Sequence, residues 1–205
     1  TDVLAPRTVA RLLEALAVED GNETLVVGVG VGYTAALLAE LVGERHVHAV
    51  DIARRLVLDA RRNLGQAGYE GVLVDRRDGA DGLPEYAPFD RVLVEASAVR
   101  PPRALLDQLT PDGRLVMPLG TPEGTLAAVE VADSPDGYAV VEEFGSVALA
   151  PLLVDGEQAG GVTRNRTERE DREFAEQGYF APTGWEHEWI DWDDRLDGGR
   201  GHRRR

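Results

Sequence analysis

Cysteine and lysine are both missing from the 205 residues. Without cysteine there are no disulfides and no thiolate chemistry, zinc would have to rely on His and carboxylates, and the expected compartment is the cytoplasm. Without lysine, all 22 basic residues are arginine, set against 37 acidic ones, for a formal net charge of −15. Nucleic-acid backbones need clustered cations, so this balance argues against a nucleic-acid partner. Long apolar runs are also lacking. No stretch approaches the roughly 20 residues that span a bilayer, and no basic start followed by an apolar segment reads as a signal peptide. No membrane partner is expected.

Apolar content is ample. At 43% hydrophobic residues the chain carries a real core, unlike the low-hydrophobicity profile of disorder. Its length fits one domain with an elaboration. An acidic, lysine-free but richly apolar composition matches the proteins of salt-in halophiles. In molar salt the Debye length falls to about 3 Å, so dense surface carboxylates repel little. An ordinary acidic protein is the plainer alternative.

Along the chain, Val9, Leu12, Leu13 and Leu16 fall at helical spacing after Pro6, a residue suited to a first helical turn. Residues 24–29 form a short, nearly all-apolar run, as expected of a strand buried on both faces. A helical stripe follows from Tyr33 to Gly43, then a strand in "HVHAVD" ending at Asp51, then a helix stopped by Gly65 and Gly68. "GVLVDRRDG", residues 90–96 and residues 113–120 read as further strands, with a short helix at 102–109. This alternation implies parallel strands joined by right-handed crossovers. Two consecutive strands, "GTLAAVEVAD" and "GYAVVEEFGSVAL", then suggest an antiparallel hairpin at the sheet edge. The expected fold is an α/β, doubly wound, Rossmann-like sheet, mostly parallel. Residues 1–153 form its domain, and residues 154–205 form an acidic, Trp-containing extension with a disordered end.

"TLVVGVGVGYTAALLAEL" places Gly28, Gly30 and Gly32 at alternate positions between the first strand and its helix. Each glycine inside a regular element costs about 0.5–1 kcal/mol, so three together point to a sharp turn or to a ligand touching the backbone. Ligands of open α/β sheets bind at this edge. A nucleotide site further expects an acid about 20 positions on, to hold ribose hydroxyls, and Asp51 fills that place. A dinucleotide fingerprint would require a third glycine where Tyr33 stands. The G-x-G-x-G spacing, with a second acidic turn at Asp78-Gly79, suits ribose plus an adenine amino group instead. The combination resembles the S-adenosylmethionine site of class I methyltransferases.

Longer blocks sharpen that resemblance. "GVGYTAALLAEL", "VHAVDIARRLVLDARRNL", "DGADGLPEYAPFDRVLVEASA" and "PRALLDQLTPDGRLVMPLG" are together similar to the protein-L-isoaspartate O-methyltransferase family over roughly residues 3–153. "VALAPL" resembles its closing strand, and Gln158 loosely matches a glutamine near its cofactor. The resemblance implies S-adenosyl-L-methionine as cofactor and protein or peptide substrates bearing isoaspartyl residues. It implies a cofactor site of Gly28, Gly30, Gly32, Tyr33, Asp51, Ile52, Asp78 and Gly79. The glycines would approach the methionine part, Asp51 the ribose and Asp78 the adenine, with Ile52 packed on the adenine face. A halophilic archaeon is the expected source.

The chain departs from the family in places. Val26 stands where the family has an acidic residue, Leu4 where it has an active-site serine, and Glu95 where it often has a small hydroxyl residue. The family's N-terminal segment is absent and the chain starts at Thr1 without methionine, so a partial chain is expected. Methyl transfer to a carboxylate needs alignment rather than a general base, because the nucleophile is already ionised at neutral pH. No catalytic residue is assigned; Ser97 reads as a strand-end hydroxyl. No metal site is assigned either, since His46 and His48 share a face without enough further ligands. The arginine pairs 54–55, 61–62 and 76–77 are expected to meet local acids, and Trp185, Trp189 and Trp192 to dock on the core. Two further readings stay open: a methyltransferase with another acceptor, or a methyltransferase-fold binding module that has lost activity.

Overall fold

Proline at the first position and an apolar face of Val9, Leu12, Ala15 and Leu16 make helix α1 (Pro6–Leu16). In the computed structural model, which describes residues 4–120 and 124–153, it leads into an alternating series. The elements are β1 (Thr24–Val27), α2 (Tyr33–Val42), β2 (Val47–Asp51), α3 (Arg54–Ala67), β3 (Leu73–Arg76) and β4 (Phe89–Val94). They continue with α4 (Arg103–Leu106), β5 (Leu109–Leu119), β6 (Gly124–Val131) and β7 (Tyr138–Val147). Seven strands form one sheet in the order β3-β2-β1-β4-β5-β6-β7. The first five pair in parallel, while β6 runs antiparallel to both β5 and β7. The Rossmann-like sheet and its antiparallel edge are thus as expected.

Every residue of β1 and β2 is buried, which is why β1 is nearly all apolar; β2 also buries His48 and Asp51. Alternate side chains feed two apolar layers. Val26 and Leu93 join Leu38 and Ala60 on one face, and Leu25, Val27 and Val92 join Phe89 and Leu115 on the other. Strand order reverses between β1 and β4, and crevices that bind ligands open at such switch points.

Several boundaries differ from the sequence reading: β4 ends at Val94, not 96, and α4 covers only Arg103–Leu106 of the expected 102–109. Strand β1 ends at Val27, not 29, because Gly28 and Val29 both turn their N–H groups onto the Val50 carbonyl, at 2.9 and 3.1 Å. Helix α3 runs through Gly65; Gly68 alone caps it, with a left-handed φ of +87°. Strand β5 begins at Leu109, since Phe89 already pairs with Leu109 before a register shift absorbs "TPDG" and Arg91 pairs with Arg114.

Four of the six paired arginines meet acids. Arg55 and Arg62 share Asp59, Arg61 reaches Asp75, Arg77 reaches Glu85 and Arg76 donates to the Ile52 carbonyl. His46 and His48 are both bound by Glu23, at 2.7 and 3.1 Å, at the amino end of the strands. Among the described residues no helix is long and apolar enough to cross a membrane, and no group of three or more His, Asp or Glu is placed to hold a metal. The expected docking of Trp185, Trp189 and Trp192, the Gln158 match and the rest of the 154–205 extension lie outside the described residues.

Candidate functional site

Between β1 and α2 the chain turns on Gly28 and Gly30, whose φ angles are +88° and +56°, a region costly for side-chain-bearing residues. A Cβ at Gly30 would meet nothing nearer than the Gly28 carbonyl at 4.0 Å. Its open side faces a cleft of about 560 Å³ lined by Gly28, Gly30, Asp51, Ile52 and Gly79. That volume suits a small-molecule ligand. Gly32 shares the positive φ, at +92°, and is small for a second reason: a Cβ there would press on Ala60 and Leu64 of α3 at 3.3–3.4 Å. Gly79 likewise yields to β1, because a Cβ there would overlap Val27 Cγ1.

Asp51, at the carboxyl end of β2, is only 7% exposed. Its Oδ2 accepts the Gly30 N–H at 3.1 Å and its Oδ1 the Ala53 N–H at 2.9 Å. One carboxylate therefore pins the glycine loop and the start of α3, and each oxygen keeps a lone pair directed elsewhere. Of the expected site residues, the structure brings Gly28, Gly30, Asp51, Ile52 and Gly79 to one cleft. Gly32, Tyr33 and Asp78 are not among its lining residues. Asp78 caps its own turn, accepting the Ala80 N–H at 2.9 Å, and Tyr33 is 41% exposed.

Two of the three departures noted in the sequence line the cleft, Leu4 and Glu95; Val26 is buried in the core. Glu95 follows β4, held by its N–H to the Val27 carbonyl at 2.8 Å. Its Oε1 is buried with no hydrogen-bond partner. Burial, together with the Asp51 charge, pushes its carboxyl up to about 7 despite a hydrogen bond from Thr34.

The wall of the cleft comes from far along the chain, residues 148–153. Ser97 stitches that wall in place. Its N–H donates to the Ala150 carbonyl at 2.8 Å, its carbonyl accepts from Leu152 at 2.9 Å, and its hydroxyl donates to the Leu149 carbonyl at 3.1 Å. The hydroxyl is fully buried and structural. Gln108 does similar work on the loop after β3, accepting from Leu83 N–H and donating to the Asp81 carbonyl, both at 2.8 Å. Neither role has a local signature, since both partners lie 25 or more residues away in the chain.

Several known proteins resemble this chain in sequence or in fold. The family model described as Protein-L-isoaspartate(D-aspartate) O-methyltransferase matches residues 1–158. A protein-L-isoaspartate O-methyltransferase from Aeropyrum pernix is 42% identical over 154 residues, covering 74% of this chain and 58% of the relative. One from Methanocella arvoryzae is 40% identical over 152 residues, covering 74% of this chain and 79% of the relative. Among solved structures, a protein-L-isoaspartate O-methyltransferase superposes with a TM-score of 0.67 at 23% identity, covering 84% of this chain and 52% of that one. A candidate enzyme of the same kind from Plasmodium falciparum, solved with S-adenosyl-L-homocysteine, superposes with a TM-score of 0.62 at 20% identity, covering 75% of this chain and 76% of that one. The chain spans little more than half of the Aeropyrum relative's length and more than two thirds of the Methanocella relative's. The cleft at the switch point, the glycine turn pinned by Asp51 and the matches over some three quarters of the sequence agree: this chain belongs to the protein-L-isoaspartate(D-aspartate) O-methyltransferase family.

Proposed function

We propose that the protein is an S-adenosyl-L-methionine-dependent O-methyltransferase that methylates the carboxylate of isoaspartyl residues in damaged proteins. The observation that carries this reading is the buried Asp51 carboxylate, set between the glycine turn and the cleft with acceptor capacity to spare. In this reading Asp51 accepts from the ribose hydroxyls and Ile52 packs on the adenine. Gly28 and Gly30 let the methionine arm lie against backbone. Asp78 and Gly79 border the adenine, while Gly32 and Tyr33 shape the turn that starts α2. When bound, the donor supplies an electrophilic methyl group. The protein's part is alignment, because an isoaspartyl carboxylate is ionised at neutral pH and asks for no base.

A second reading, with a different acceptor, draws on Leu4 and Glu95. A leucine on the cleft wall offers no hydrogen bond to an acceptor, and a carboxylate facing the cleft opposes an anionic one. The deciding experiment is methyl incorporation into an isoaspartyl peptide and its aspartyl control, run in molar salt. Incorporation into the isoaspartyl peptide alone is expected. Equal or absent incorporation, with S-adenosylhomocysteine still bound in calorimetry, would point to another acceptor. No heat of binding at all would leave only a binding module.

A further inference from the structure

We propose that Glu95 recognises a positive charge on the amino-acid arm of the S-adenosyl donor, so that the cleft reads the donor as a cation and not only as a nucleoside. The proposal rests on the donor reading above.

Glu95 sits where the two central strands diverge, its backbone held to Val27. Beside it Gly28 has no side chain; a Cβ there would lie 3.7 Å from the Glu95 Cβ. Nothing therefore separates the Glu95 side chain from the turn that faces the cleft. One carboxylate oxygen is engaged by the Thr34 hydroxyl of α2. The other, Oε1, is buried and unpartnered. A buried carboxylate oxygen is expensive to leave unpaired, and surrounding side chains do not answer it. Among the described residues that line the cleft there is no arginine or histidine. The charged groups lining it are two carboxylates, Asp51 from β2 and Glu95 just after β4, while Leu4, Ile52, Ala96 and residues 148–153 bring none. Asp51 already accepts two backbone N–H groups; Glu95 has the unfilled oxygen. Such an arrangement favours a cationic ligand group, and an S-adenosyl donor carries two of them, an ammonium and a sulfonium. Both present a positive charge to Glu95, and the ammonium can also donate an N–H to the open oxygen.

Three probes separate them. S-Adenosylmethionine has both charges, S-adenosylhomocysteine only the ammonium, and 5′-methylthioadenosine neither. Calorimetry on the full chain and on Glu95→Gln is expected to show the two amino-acid-bearing probes weakened about tenfold to a hundredfold by the substitution, with methylthioadenosine unchanged. That pattern assigns the ammonium; a loss for S-adenosylmethionine alone assigns the sulfonium. Equal losses for all three probes, or none for any, overturn the proposal. The unsubstituted protein gives a second test. Because a cation favours ionised Glu95, S-adenosylhomocysteine should bind about tenfold more weakly at pH 6 than on its plateau above pH 8, given a carboxyl near 7. Methylthioadenosine should bind evenly across that range, and a flat profile for S-adenosylhomocysteine overturns the proposal even if Glu95→Gln does not fold. Should none of the probes bind the unsubstituted protein, the donor reading itself falls, which is a different result from a loss of selectivity.

Discussion

Asp51 and Glu95 are two carboxylates of one cleft in opposite circumstances. Asp51 has a backbone partner on each oxygen, the N–H groups of Gly30 and Ala53. Asp51→Ala orphans both donors, at a cost of about 1–3 kcal/mol each where they stay dry, and removes the proposed ribose contact. A lower denaturation midpoint and at least tenfold weaker S-adenosylhomocysteine binding are expected together. Glu95 is the reverse case, with a folded-state carboxyl near 7 against an ordinary 4.5. Burial disfavours its charged form, so the fold loses stability as pH rises from about 4.5 to 7 and the loss levels off above. Over that window Glu95→Gln should gain on the unsubstituted protein, by an amount on the order of 3 kcal/mol, as read by urea melts at pH 5 and pH 8. A variant more stable but poorer at binding is the expected signature of a group kept for its ligand. Equal stability at both pH values would contradict the burial argument. Gly79→Ala tests packing alone: its Cβ would overlap the Val27 side chain, and overpacking of this kind costs about 1–3 kcal/mol, measurable by the same melts.

At the scale of elements, the site depends on pieces that meet across long stretches of chain. Residues 148–153 complete the cleft, and Ser97 holds them by backbone and hydroxyl together. Ser97→Ala leaves the buried Leu149 carbonyl without its donor and is expected to cost about 1–3 kcal/mol. Hydrogen exchange at the Leu152 amide should speed up as the wall loosens; unchanged protection there would show that the backbone bridge suffices. At the opposite end of the strands, Glu23 joins the approach to β1 with His46 and His48. Burial raises its carboxyl, but the hydrogen bonds and charges of both histidines outweigh this and hold it below the ordinary range. Its stabilising share is therefore present above about pH 4.5 and lost as pH falls below it. His48 is also packed against Tyr86 and Phe89, with ring centroids 4.9 and 5.6 Å away, so this pair of histidines is structural.

For the whole molecule the dominant electrostatic fact is a net charge of −15. Ion pairs such as Arg103–Asp107 and Arg62–Asp59 are surface contacts, worth little individually and weakened by salt. Self-repulsion among the acids is screened at the same time, and with so large an imbalance it outweighs them. The thermal midpoint should rise between 0.1 and 2 M sodium chloride, as followed by circular dichroism. A midpoint that falls with salt would remove the halophilic reading of the composition while leaving fold and family untouched.

Much of this was legible before any coordinates, because the signals are local. Alternating apolar runs and helical stripes, the glycine turn, and an acid one strand later are set by spacing along the chain, and they led to the parallel sheet, to Asp51 and to the family. The extent of β5 and the pairing of β6 with β5 were decided by partners across the sheet. So were the smallness of Gly79, the role of Ser97 and the unpaired oxygen of Glu95. Glutamate at position 95 is visible in the sequence as an oddity. Only the tertiary structure makes it a buried carboxyl facing a cleft whose described lining holds no cation, because burial is a property of what distant segments bring to the same place.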